Sequence, residues 1–219
     1  MGKHRTSAGS KSDQIMLPEW AVNLVRPPLR IAWRLLFRIR YNGTEHIPLA
    51  GGLIVAANHQ SYFDPFWFGL PIKRPLRFLA WDVAFDWPVV GKMIELLGAW
   101  PLQVEGSDPT AIRRTLQWLR EGGVVVIFPE GARGQPDGSL IRFKGGALRL
   151  ALEAEVPILP VTIRGGHRVW PAGRHLPRLG QIEITYHPLF HVEQRPAEEK
   201  GACARRESDR LAEVIRSAL

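Results

Sequence analysis

NHQSYFDP, residues 58–65, is a polar stretch that begins where an apolar run stops. That run, Leu53-Ile-Val-Ala-Ala57, is short and rich in β-branched residues, which suits a strand buried on both faces. The polar stretch is therefore a loop at the end of a core strand. Asp64 precedes Pro65, and a residue before proline is pushed toward extended backbone, the geometry of an N-cap with proline at the first helical position. The pattern predicts that Asp64 caps a helix over FWFGL, with His59 on the loop before it. A loop curling back to its cap brings imidazole and carboxylate together, as a general base requires.

On the N-terminal side, Arg38 to Tyr41 reads as a first strand closed by the turn signal Asn42-Gly43. Before it, Leu29 to Arg40 follows a break at Pro27-Pro28 and reads as an amphipathic helix. Arg30, Arg34 and Arg38 form one stripe; Leu29, Ala32, Leu36 and Ile39 face away, and Trp33 and Phe37 stand near the boundary. Charges at that spacing exclude a bilayer-spanning helix, which needs about 20 mostly apolar residues. Two readings stay open: a helix lying in a membrane interface, or one packed on the domain with its arginines in water. Residues 1–14 are polar, basic and without the apolar core of a signal peptide, and are expected to be disordered.

On the C-terminal side, strands are expected at Leu76–Ala80, Val124–Phe128, Pro157–Ile163 and Gln181–Tyr186, with helices near Val89–Leu97, after Asp108-Pro109, at Lys144–Glu153 and at the C-terminus. Gly98–Val104 reads as a short extended segment whose Pro101 argues against a central strand. The alternation predicts an α/β fold: a mixed, mostly parallel central sheet flanked by helices, with the N-terminal amphipathic segment outside it. The expected organisation is a basic tail (1–14), an interface segment (15–40) and one domain (41–219). Ligands of such sheets bind beyond the carboxyl ends of the strands. The loops after Ala57 and after Phe128 both lie at that edge, so His59, Asp64, Glu130 and Arg133 are expected to share a site.

A chain of 219 residues suffices for one sizeable core. The net charge of +8 and the eight tryptophans point to an anionic, partly apolar partner. Nucleic acid and an anionic membrane surface both fit that description, but no recognisable nucleic-acid motif accompanies the charge, so a membrane surface and no nucleic acid is expected. Cys203 is the only cysteine, which excludes a disulfide framework and a thiolate zinc site. His187 and His191 lack further ligands, so no metal is expected.

Three blocks together carry a family likeness. NHQSYFD resembles the His-x4-Asp block of the glycerolipid acyltransferases, the 1-acylglycerol-3-phosphate acyltransferases and their relatives. FPEGARG, residues 128–134, resembles that family's Phe-Pro-Glu-Gly-Thr-Arg-Ser block, and VPILPV, residues 156–161, resembles its last block. The blocks occur in family order. Ala132 and Gly134 replace two hydroxyl residues of the pattern, and Val104 stands where the second block tends to end in arginine. That arginine is associated with the acceptor's phosphate. Arg113 or Arg114 is a candidate to substitute for it, and an acceptor lacking a phosphomonoester is the other reading.

The resemblance implies that His59 removes the proton from an acceptor hydroxyl as it attacks an acyl thioester, with Asp64 orienting the imidazole. It implies substrate-binding roles for Asn58, Glu130 and Gly131, and an anionic headgroup held by Arg133 and Lys144. The expected reaction moves a fatty acyl chain from acyl-CoA or acyl carrier protein to a lyso-glycerophospholipid, in phospholipid biosynthesis. It needs no cofactor, and is expected at the cytoplasmic face of a membrane. Two alternatives stay in view. One is a lipid hydrolase or thioesterase using Ser61, His59 and Asp64, although no Gly-x-Ser-x-Gly elbow exposes the serine. The other is a non-catalytic protein of anionic membranes, which leaves the ordered blocks unexplained.

Overall fold

The computed structural model describes residues 19–86, 90–96, 98–102, 108–171 and 176–219. The expected basic tail, the start of the interface segment and Val104 lie outside these residues. Each apolar run forms the strand its pattern predicts. In chain order these are β1 (Arg40–Asn42), β2 (Leu53–Ala57), β3 (Leu76–Trp81), β4 (Ala99–Leu102), β5 (Val124–Ile127), β6 (Ile158–Arg164) and β7 (Glu183–Tyr186). They make one sheet in the order β1-β7-β6-β2-β5-β3-β4. All neighbours are parallel except β6 and β7, so β1 and β7 run against the rest. β4, with Pro101, is an edge strand, where a missing N–H breaks no ladder.

Pro160 lies inside β6, which is paired on both sides. Its carbonyl still accepts from the His187 N–H at 3.0 Å. Beyond that point β7 has ended, and the ladder resumes only at the bridge between Ile158 and Phe190. The proline thus stands where the partner strand peels away, which keeps its lack of an N–H tolerable.

Side chains alternate across β2 and build two cores. Leu53, Val55 and Ala57 face a layer formed by α1 (Glu19–Phe37), α2 (Asp64–Gly69) and the short α6 (Gly166–Val169), with Phe37, Trp67, Phe68 and Val169 buried. Ile54 and Ala56 face α4 (Pro109–Arg120), α5 (Gly146–Ala154) and α7 (Lys200–Arg216), through Leu119, Leu148, Ala151, Leu211 and Ile215. A further helix, α3 (Val90–Leu96), precedes β4. With both faces covered, the central strands β2 and β5 read as continuous apolar runs.

α1 differs from its expectation. It runs through Pro27 and Pro28 and ends at Phe37, so Arg38 and Ile39 are not helical. A proline loses one backbone bond but keeps a helical φ, and both prolines here are exposed. Arg38 itself takes a left-handed backbone (φ 44°), which turns the chain into β1. Trp33 and Phe37 are packing anchors, with ring centroids within 5.1 Å of Phe63 and 5.5 Å of Trp67 respectively. Leu24, Ile31 and Leu35 instead face outward, 70%, 61% and 77% exposed. One face of the helix thus packs on the domain, as one of the two readings has it, and its opposite face is apolar and exposed.

One buried histidine should make stability depend on pH. The Thr162 hydroxyl donates to the Ile215 carbonyl at 2.7 Å, tying α7 to the sheet, and so must accept from Nε2 of the buried His187 at 2.8 Å. Burial, and secondarily His46, lowers the His187 pKa below its ordinary 6.5. A depressed pKa gives stability that is present above pH 6.5 and lost as pH falls through the folded value. Thermal melts of His187→Gln below pH 6.5 should show a shallower acid decline than the parent protein; identical slopes would remove His187 as the cause.

Candidate active site

The site is assembled where β2 and β5 end side by side. The parallel register sets Ala56 against Ile127, so the loops that follow emerge as neighbours. Asp64 is the first residue of α2, with Phe63 in the cap position; it does not cap the helix as its sequence context suggests. Its carboxylate points back into the loop, where one oxygen, Oδ2, accepts from His59 Nδ1 at 2.8 Å, Gln60 N–H at 2.6 Å and Ser61 N–H at 2.8 Å. Asp64 is fully buried, and these three donors are what make a buried carboxylate tolerable. They also fix the imidazole, whose ring stacks on Phe128 at 4.1 Å and 20°. With Nδ1 held by Asp64, Nε2 is the nitrogen left to take a proton. The His59 side chain is 18% exposed, enough to reach a substrate without being bathed in water.

Glu130 and Asn58 act on the backbone. Glu130 is 4% exposed; its Oε1 accepts from the His59 N–H at 2.8 Å and its Oε2 from the Ile141 N–H at 2.9 Å. Burial raises its pKa, and those two bonds partly offset the rise. Asn58 is completely buried, donating to the Ile163 carbonyl at 2.9 Å and accepting from the Ile163 N–H at 2.7 Å. The end of a core strand leaves backbone groups without a ladder partner, and these side chains satisfy them.

Gly131 and Arg133 sit on the next loop, which is pinned to the first by the Gly134 N–H donating to the His59 carbonyl at 2.6 Å. Gly131 has φ +69°, and a Cβ there would lie 2.7 Å from Lys144 Nζ. The motif glycine therefore supplies both a left-handed turn and room for the lysine. The Arg133 guanidinium lies 4.1 Å over the Tyr62 ring, and its Nε is buried without a partner among the described residues. Arg113 is exposed and Arg114 rests on Trp100 at 4.2 Å, both on α4.

Gln60, Tyr62 and Phe128 escaped the sequence reading. Gln60 is 5% exposed, donates to the Gly138 carbonyl at 2.9 Å and accepts from the Gly166 N–H at 3.0 Å, so it locks a third and a fourth segment to the histidine loop. Its position between His59 and Asp64 was the available signal. The Ser61 hydroxyl is buried and accepts from the Phe63 N–H at 3.2 Å, a local turn contact that does not involve His59. Among the described residues no group of three or more His, Cys, Asp or Glu side chains is placed to hold a metal ion, and no helix is long and apolar enough to cross a membrane.

A buried carboxylate holding an imidazole at the carboxyl edge of a mostly parallel sheet defines an α/β domain equipped for general-base chemistry. The chain belongs to the acyltransferase family, whose model matches residues 38–164. It is 31% identical over 187 residues to an uncharacterized protein of Mycobacterium leprae, covering 78% of this chain and 49% of that protein. It is 28% identical over 161 residues to a chloroplastic 1-acyl-sn-glycerol-3-phosphate acyltransferase of Arabidopsis thaliana, covering 71% and 44%. The chain thus spans about half the length of these two relatives. The 1-acyl-sn-glycerol-3-phosphate acyltransferase of Bacillus subtilis is 24% identical over 164 residues, covering 74% and 79%. The crystal structure of the Thermotoga maritima 1-acyl-sn-glycerophosphate acyltransferase superimposes with a TM-score of 0.71 at 26% identity, covering 91% of this chain and 79% of that one.

Proposed function

We propose that this protein transfers a fatty acyl group from an acyl thioester, carried by coenzyme A or acyl carrier protein, to the free hydroxyl of a lyso-glycerophospholipid of the lysophosphatidate type, in phospholipid biosynthesis. The observation that carries the reading is the His59 Nδ1 to Asp64 Oδ2 contact of 2.8 Å. His59 Nε2 takes the proton of the acceptor hydroxyl as its oxygen attacks the thioester carbonyl. The tetrahedral intermediate then collapses, and the departing thiolate recovers the proton from the imidazolium, leaving an ester and a free thiol. Asp64 stabilises the transient imidazolium. Every catalytic step is a proton or acyl transfer, and no cofactor enters it. Asn58 and Glu130 keep the loops in register, while Arg133 and Lys144 hold the anionic headgroup beside Gly131.

The hydrolase alternative loses its nucleophile, since Ser61 Oγ is buried in a turn contact of its own. Incubation with labelled acyl-CoA or acyl carrier protein and a panel of lyso-lipids tests the proposal: an acylated lipid product is expected, and release of free fatty acid alone would replace transferase with hydrolase.

Arg133 and Tyr62 give a second readout. A charge-assisted contact contributes about 1.5–3 kcal/mol, so Arg133→Ala should raise the acceptor KM by roughly ten- to hundredfold with little change in the donor KM. Tyr62→Leu should raise the acceptor KM less, and Tyr62→Phe should restore it because the ring face makes the contact. Equal, small effects on both substrates would reduce Arg133 to surface charge.

A further inference from the structure

We propose that this chain carries a second, non-catalytic site, taking the phosphate of an anionic phospholipid headgroup, in the cavity walled by Arg30, Thr44, Lys73 and Arg74. The proposal stands apart from the acyl-transfer reading. The cavity measures about 270 Å³, just under the range of roughly 300–1,000 Å³ typical of small-molecule sites, which suits a headgroup better than a nucleotide. Its described lining contains three cations, a hydroxyl and no carboxylate. None of the three cations forms an ion pair with a carboxylate among the described residues.

Arg74 is fixed in place by backbone carbonyls, donating to Gly51, to Gly122 at 2.6 Å and to Pro48 at 3.3 Å. These contacts leave its charge uncompensated in a partly desolvated position, which lowers its pKa. Arg30 is positioned over the Tyr41 ring at 5.7 Å. A phosphate supplies the missing negative charge and accepts from the Thr44 hydroxyl.

The apolar surroundings choose a lipid over a free anion. Leu49 and Pro71 line the mouth, Leu49 being 87% exposed, and Arg30 belongs to α1, whose outward face offers Leu24, Ile31 and Leu35. Acyl chains lying along that face would leave their headgroup at the cavity. The site is distinct from the catalytic centre. Thr44 to Leu49 precede β2 and Pro71 to Arg74 precede β3, so the cavity opens at the amino ends of these strands, whereas His59 follows the carboxyl end of β2. Five strand residues, at about 3.3 Å each, separate the two edges by roughly 16 Å.

The test is titration calorimetry of the full chain with dihexanoyl phosphatidylglycerol below its micellar concentration, beside dihexanoyl phosphatidylcholine and inorganic phosphate. Phosphatidylglycerol is expected to bind, with phosphatidylcholine at least about tenfold weaker, because a zwitterion gains little from three cations. Lys73→Ala, an exposed position, should weaken binding about tenfold or more at unchanged melting temperature. Arg30→Gln should do the same from the other wall, and Arg133→Ala, at the catalytic edge, should leave it intact. Equal binding of both lipids, insensitivity to Lys73→Ala, or loss in Arg133→Ala alone would overturn the site. Inorganic phosphate binding as tightly as the lipid would overturn the lipid assignment in favour of a free anion.

Discussion

Replacing His59 with alanine should lower the acyl-transfer rate by about 10²–10⁴-fold, the usual contribution of a positioned general base. The side chain is partly exposed and its bond to Asp64 is not needed to close the core, so the variant should stay folded. Asp64→Asn should also reduce the rate strongly. An amide keeps one acceptor oxygen for the Gln60 and Ser61 N–H groups, but it neither holds the imidazole with a negative charge nor stabilises the imidazolium. Because the two residues act as a unit, the double variant should be scarcely slower than His59→Ala. Asp64→Asn should in addition melt at a lower temperature, since its carboxylate is fully buried and takes three donors. Ser61→Ala should keep most of the activity. Single-turnover transfer from labelled acyl donor measures all four, and an acyl group trapped covalently on Ser61 would overturn the mechanism.

The sequence made the pairing of His59 with Asp64 legible because a short apolar run and an Asp-Pro step mark a strand end and a helix start within a few residues. What it did not show is which way the carboxylate points. Asp64 looks like a cap residue, yet its oxygen turns back to three donors on the loop; capping preferences describe backbone geometry, and the imidazole and the two amides outweigh them. Asn58 and Glu130 were legible as members of motifs, but the backbone groups they bond were not. Those partners, Ile163 across the sheet and the His59 and Ile141 amides, are separated from them in sequence and are set only by the fold. The sheet's alternation was readable from its apolar runs, since a strand covered on both faces is apolar throughout. The reversal of β7 relative to β6 was not, because pattern alone carries no strand direction. Pro27-Pro28 misled for a related reason: proline is a strong local breaker, but α1 gains its stability from Trp33 and Phe37 packing on Phe63 and Trp67, contacts far away in sequence.

Replacing Leu24, Ile31 and Leu35 together with serine should release the protein from anionic vesicles if α1 lies in a membrane interface, the first of the two readings its sequence allows. These three side chains form one stripe of the helix, are 61–77% exposed, and lie opposite the face anchored by Trp33 and Phe37. Burying an aliphatic side chain is worth about 1.5–3 kcal/mol, so losing three should reduce vesicle partitioning by about three to six orders of magnitude. Arg30 and Arg34 act from the flank, near enough to Tyr41 to oppose the burial that lifts its pKa to about 12. Each basic residue near an anionic surface adds about 1 kcal/mol. Arg30/Arg34/Arg38→Glu should therefore weaken binding at low salt and matter less at high salt, where surface charge is screened, whereas the serine variant should fail at both. Activity on short-chain, water-soluble acceptors should survive in both variants, because the His59 loop is untouched. Sedimentation with vesicles at two salt concentrations, with the melting temperature recorded for each protein, decides the matter. A folded serine variant that still sediments with vesicles would show that α1 only packs on the domain and that other surfaces meet the lipid.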